Sequence, residues 1–190
     1  MRVLAALALA GFLLGPVTEA SAEMPQASAT LARDIGGIEL GMSIDEVRGR
    51  MTLEHVAFET FSGRHDGIQF DLGFTPGGRV FRIESRQHLG RFQPDAAFTK
   101  SLSAKLVSKY GPPAFMHLPD GPASWSLVEP VSDASGETRP FNVMWANAML
   151  SNDERGVSLL LTMLDFRILW EDQARQNSGP AREAAQRIQF

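Results

Sequence analysis

The chain has 190 residues, 44% of them hydrophobic and 21% charged, with a formal net charge of −4 and no cysteine. That balance belongs to a folded globular protein rather than a disordered one, and the mild acidity argues against a general nucleic-acid binder, which needs a basic face to neutralise phosphates. Without cysteine, thiol nucleophiles, disulfides, Cys-based zinc sites and iron–sulfur ligation are excluded, so stability has to come from an ordinary hydrophobic core.

At the start, Met1-Arg2 is a short basic region and residues 3–14 (VLAALALAGFLL) are apolar but too short to span a bilayer as a stable helix. Gly15-Pro16 breaks the run, and Ala20-Ser21-Ala22 supplies the small residues a signal peptidase needs. These features predict a cleavable secretory signal over residues 1–22, cut between Ala22 and Glu23, and a periplasmic address. No cysteine follows the cut to carry a lipid, and no later run approaches a membrane span, so neither a lipid anchor nor a transmembrane segment is expected in the mature chain. Residues 23–34 (EMPQASATLARD) read as a flexible lead-in, residues 35–165 as one α+β globular domain with candidate halves 35–92 and 93–165, and residues 166–190 as a helical tail.

The first element inside the domain is a helix. In GIELGMSIDEV, Ser43 precedes Glu46 by three residues, the spacing of a capping box in which each side chain satisfies the other's backbone N–H. Met42 and Val47 fall at the two positions of a hydrophobic staple, and Ile44, Val47 and Met51 form one apolar stripe. Three strands follow: residues 56–61; a run in which Ile68, Phe70, Leu72 and Phe74 alternate with Gln69, Asp71 and Gly73; and residues 80–87, with Phe81 and Ile83 facing one way. The turn Thr75-Pro76-Gly77-Gly78 makes the last two a hairpin.

A second helix is predicted from about Pro94 to Tyr110, with Phe98, Leu102, Leu106 and Tyr110 recurring every four residues and Gly111-Pro112-Pro113 ending it. Strands at 124–128, 140–146 and 157–164 follow, the last almost wholly apolar and therefore central in a sheet; residues 131–138 (VSDASGET) and 151–156 (SNDERG) read as polar loops between them. Residues 166–176 look helical, with Glu171 and Arg175 at an i,i+4 spacing; Asn177-Ser178-Gly179-Pro180 interrupts, and residues 181–190 form a last amphipathic segment. The order is helix then three strands, twice over, a tandem arrangement that residue identity between the halves does not itself support. The fold expected is α+β: antiparallel sheet or sheets with helices packed on one face.

Two of these segments carry a family resemblance. GIELGMSIDEV (residues 37–47) resembles the G-x-x-x-G-M-S/T-x-x-E/Q-V opening of small exported bacterial proteins of the outer-membrane-assembly lipoprotein SmpA/OmlA type and of the related β-lactamase-inhibitor-protein-like fold. KYGPPA (residues 109–114) is similar to the K/R-x-G-x-P that closes a helix in the same proteins. The resemblance implies a helical segment packed on a small antiparallel sheet, with two such units in tandem in the inhibitor. The assembly lipoproteins carry a lipidated cysteine that this chain lacks, so docking to the assembly machinery is not carried over.

Catalytic signatures are sparse. There is no P-loop, no G-x-G-x-x-G and no G-x-S-x-G elbow. The histidines, His55, His65, His88 and His117, never pair at i,i+2 or i,i+4, so no local metal clip exists; His65-Asp66 reads as a polar loop opening a strand. No catalytic, cofactor-binding or metal-binding residue is assigned, and no cofactor is expected. Arg82, Glu84, Arg86 and His88 share one strand face opposite Phe81 and Ile83, either as a solvated face or as an anion-recognition stripe. Trp125 and Trp145, with Phe141, are the large aromatics of the second half, for the core or for a partner, and Trp170 anchors the tail helix. Arg82, Arg86, Trp125 and Trp145 are thus the candidate interaction surface.

The function expected is that of a soluble, non-catalytic periplasmic module that holds another periplasmic or envelope protein. The alternatives are an inhibitor or accessory factor of an exported hydrolase, which requires a concave face across both halves and a reaching loop such as 131–138, and a hydrolase or metal-dependent enzyme assembled from scattered His, Asp and Glu.

Overall fold

A computed structural model describes residues 31–132 and 135–177; the expected signal, most of the expected lead-in and the expected final amphipathic segment lie outside the described residues. The elements are β1 (Asp34–Ile35), β2 (Ile38–Glu39), α1 (Ile44–Arg48), β3 (Leu53–Ala57), β4 (Thr60–His65), β5 (Ile68–Phe74), β6 (Val80–Gly90), α2 (Ala96–Tyr110), β7 (Phe115–Met116), β8 (Ala123–Ser132), β9 (Thr138–Asp153), β10 (Gly156–Asp165) and α3 (Phe166–Asn177). The fold is α+β. One eight-stranded antiparallel sheet runs in the order β3-β4-β5-β6-β10-β9-β8-β7, and β1 and β2 form a small separate pair.

Each helix is followed by a four-strand meander, β3 to β6 after α1 and β7 to β10 after α2, and the two meanders join through their last strands, β6 and β10. The expected three strands per half become four in both cases. In the first half, residues 56–61 are not one strand: β3 turns through Phe58 and Glu59 into β4, with Phe58 at φ 46°. In the second half the extra strand is the two-residue β7. The predicted loops are shorter than read, because β8 continues to Ser132 and β9 starts at Thr138 and runs to Asp153.

The capping box of α1 forms as its sequence demands. Glu46 accepts from the Ser43 backbone N–H at 2.7 Å and the Ser43 hydroxyl accepts from the Glu46 N–H at 3.3 Å. The bond from the Ser43 backbone is the main reason the Glu46 carboxyl titrates below its ordinary value. Val47 is fully buried. Helix α2 starts two residues later than read: Pro94 precedes it, and the Asp95 carboxylate caps it by accepting from Phe98 N–H at 2.7 Å.

Side chains alternate across the sheet. The face toward α1 and α2 carries Phe70, Leu72, Ile83, Met163, Ala146, Ala148 and Trp125, all buried in one core with Val47, Leu106 and Tyr110. Burial pushes the Tyr110 phenol above its ordinary pKa, and its hydroxyl donates to the Asp34 carbonyl at 3.2 Å. The end of the segment read as a flexible lead-in belongs to this body: Leu31 is buried and Arg33 pairs with the fully buried Asp165 at 2.9 Å. Asp165 also takes Arg167, which reaches Glu129 on β8. Helix α3 is docked on the body through its first two turns, with Ile168 buried and Asp172 tied to the β5–β6 turn.

Candidate functional site

The second face of the sheet is left open by α1 and α2, and its residues fall in cross-strand rows fixed by the register. One row runs Thr60, Gly73, Arg82, Leu164, Trp145, Ser126. The next runs Glu54, Ser62, Asp71, Glu84, Thr162, Asn147, Ser124. A third runs Arg64, Gln69, Arg86, Leu160, Met149. The last sets His88 beside Ser158 and Ser151. The face is therefore shared by both halves, with charge on the β4–β6 side and apolar side chains, Leu160, Leu164, Met149 and Trp145, on the β10–β9 side.

Of the four residues singled out from the sequence, three lie on this face. Arg82 is a tie across the sheet rather than a free fork. Its Nη2 donates to Thr60 Oγ1 at 3.1 Å, passing over Gly73, where a side chain would press on the Arg82 stem, and its Nε stands 3.6 Å from Glu84. Arg86 is exposed and makes no ion pair among the described residues. Trp145 is half-buried beside Leu164. Trp125 is the correction: it lies on the opposite face, 1% exposed, its indole N–H donating to the Gly111 carbonyl at 2.8 Å, and it belongs to the core. Phe141 is exposed and sits edge-on to Phe166 and tilted against Trp170, so Trp170 anchors α3 to the base of the β8–β9 hairpin.

Two further features stand apart from these residues: the first overlaps the segment 131–138 read as a reaching loop, and the second was not singled out from the sequence. The β8–β9 hairpin continues past the end of β10 as an arm, residues 128–132 and 138–142, most of it exposed. A cavity of about 480 Å³ lies between α2 and the covered face of the sheet, lined by Leu89, Phe98, Leu102, Leu159 and Leu161 with Ser85 and Lys105. Helix α2 buries only Leu106 and Tyr110 above it.

Among the described residues no group of three His, Asp or Glu could hold a metal ion, and no helix is long and apolar enough to cross a membrane. His65 stands 3.6 Å from Asp66 at the exposed β4–β5 turn. No family model, curated protein or solved structure matches the chain.

Proposed function

We propose that the protein is a non-catalytic interaction module of the periplasm that holds another envelope protein against its open sheet face. The observation that carries this reading is that face itself: eight strands from two meanders present one continuous surface on which Trp145, Leu164, Leu160 and Met149 adjoin a charged field. Met149 is 43% exposed, and apolar and aromatic side chains set among charged ones are the composition of an interface centre with its rim. Photo-crosslinking side chains placed one at a time at Met149, Asn147 and Ser126 on the open face, and at Ser101 and Lys105 on α2, test it in intact cells. The expected result is one discrete adduct from the open-face positions and none from α2; adducts confined to α2 would overturn the reading.

A second reading, an inhibitor or accessory factor of an exported hydrolase, draws on the arm of residues 128–132 and 138–142 beside that face. A partner enzyme would then sit on the sheet with the arm in its cleft. Removal of residues 131–138 with a short turn in their place would relieve inhibition in this case and leave simple holding intact.

A further inference from the structure

At the end of the sheet where β6 finishes and β10 begins, the open face sinks into a hollow of about 380 Å³. Its walls carry Arg64 from β4, Arg86 and His88 from β6, Arg91 just beyond β6, and Arg155 from the β9–β10 turn. None of these four arginines makes an ion pair or a side-chain hydrogen bond among the described residues, although elsewhere the chain pairs its arginines freely, as at Arg33, Arg79, Arg139 and Arg167. The single acid lining the hollow, Asp153, accepts from the Arg155 backbone N–H at 2.8 Å through one oxygen and leaves the four arginines in excess.

The backbone brings these cations together. Arg64 and Arg86 pair with Gln69 from its two sides in one cross-strand row, so they flank one strand at about twice the 4.8 Å inter-strand spacing. A bulge where β10 meets β6 shifts the register between Val157 and Ser158 and sets His88 beside Ser158. Ser158 is 6% exposed, lines the hollow, and its hydroxyl has no partner among the described residues. In a protein of net charge −4, four arginines and one carboxylate, Asp153, around a single depression make it locally basic and favour an anion between them. The Ser158 hydroxyl, lining the hollow, is a further donor for an oxyanion.

The forked geometry of arginine matches phosphate oxygens. The roots of Arg64 and Arg155 lie on opposite flanks, β4 and the far side of β10, roughly three strand spacings or about 14 Å apart. Four forked guanidiniums and a hydroxyl offer more donors than the oxygens of one phosphate take up, which favours two linked phosphates. We propose that this hollow binds a diphosphate-bearing ligand, free or as the head of a lipid, with Arg86 and Ser158 beneath it and Arg64, Arg91 and Arg155 around it. The site stands independently of the protein-holding reading above.

The test is titration of the full mature chain with pyrophosphate by calorimetry, at low and moderate salt, with orthophosphate and sulfate alongside. Pyrophosphate should bind more tightly than either and weaken as salt rises. Arg86→Gln should weaken it about tenfold and the Arg86→Gln/Arg155→Gln pair about a hundredfold, as expected for the loss of one and two charge-assisted bonds. Arg48→Gln, at an exposed arginine outside the hollow, should leave it unchanged. Thermal melting shows whether the variants fold; the pair should melt no lower than the parent in ligand-free buffer, because cation crowding is relieved. Sedimentation with phosphatidylcholine vesicles, with and without a polyprenyl diphosphate, separates the sources: selective co-sedimentation lost in the arginine pair assigns a lipid head, and pyrophosphate binding without it assigns a soluble ligand. No heat with millimolar pyrophosphate together with no vesicle binding, or binding that the arginine pair leaves intact, would overturn the proposal.

Discussion

Arg79 and Asp172, 93 residues apart in sequence, meet through one carboxylate oxygen: the guanidinium donates from Nη2 at 2.6 Å and from Nε at 3.0 Å to Asp172 Oδ1. The Thr75 hydroxyl donates to the other oxygen, and Gly77 leaves the room that the carboxylate occupies. A side chain there would collide with it. The β5–β6 turn is thus a socket for α3, and the tail helix is part of the fold.

The Arg79 guanidinium is the main reason the Asp172 carboxyl titrates below the ordinary carboxylate range, with Thr75 adding to it. The unfolded chain therefore binds a proton that the folded chain refuses as the pH falls through that range, and the tie contributes fully at neutral pH and fades in acid. Asp172→Ala should cost roughly 2 kcal/mol at pH 7, below the value for a wholly buried pair because Arg79 is partly exposed. The gap in melting temperature between parent and Asp172→Asn should close as the pH drops well below about 4, the ordinary carboxylate value. A gap independent of pH would mean that packing alone holds the helix.

The first helix offers a graded pair. Ser43→Ala removes half of the capping box and should cost about 1 kcal/mol. Val47→Asp places an unpaired carboxylate at a fully buried position and should cost several kcal/mol, enough for circular dichroism to report loss of the fold. Equal melting temperatures for the two would contradict a packing role for α1.

The two tryptophans should part company. Trp125→Ala empties a core position and should lower stability by about 3–5 kcal/mol. Trp145→Ala, on the half-buried open face, should cost less in denaturant melts while reducing adduct formation from a crosslinker at Met149. Equal destabilisation with unchanged crosslinking would remove Trp145 from the docking surface.

Gly156 and Gly67 both adopt positive φ, 115° and 77°. A side chain at Gly67 meets nothing, whereas one at Gly156 would run into the Gly90 backbone. Gly67→Ala should cost only the conformational strain, about 1 kcal/mol; Gly156→Ala should cost more and, by prising β10 from β6, also loosen the arginine hollow. Urea midpoints for the two variants measure the difference.

Period and punctuation made much of this fold readable. Alternation over Ile68 to Phe74 and the Pro-Gly-Gly turn gave the β5–β6 hairpin, the apolar run before Asp165 gave a strand with neighbours on both sides, and Ser43 with Glu46 gave α1. The β3–β4 turn escaped notice because Phe58 and Glu59 carry no turn chemistry: a run of strand-forming residues conceals a non-glycine residue at positive φ. Alternation in Ala-Ser-Trp-Ser-Leu does mark Trp125 and Leu127 as one apolar face, a signal that was available; the near-continuous apolar stretch around Trp145 has no such period, so its face was not decidable. Arg82 and Arg86 share a face by simple parity. Their separation into a cross-strand tie and a free cation depended on Gly73 in the next strand and Thr60 two strands away, and the grouping of Arg64, Arg91 and Arg155 with Arg86 depended on three registers at once.

The sheet's central seam joins β6, complete at Gly90, to β10, which begins at Gly156. A first meander formed before residues 156–165 are in place leaves its eleven-residue last strand as an uncovered edge. Such a seam is slow to close, because the intervening segment must be gathered before any rung is gained. In the interval the exposed edge can template pairing with another copy. Half-folded chains of this protein therefore carry the edge most open to mispairing, and a factor that shields β6 until β10 pairs would raise the yield of folded protein without touching its final stability.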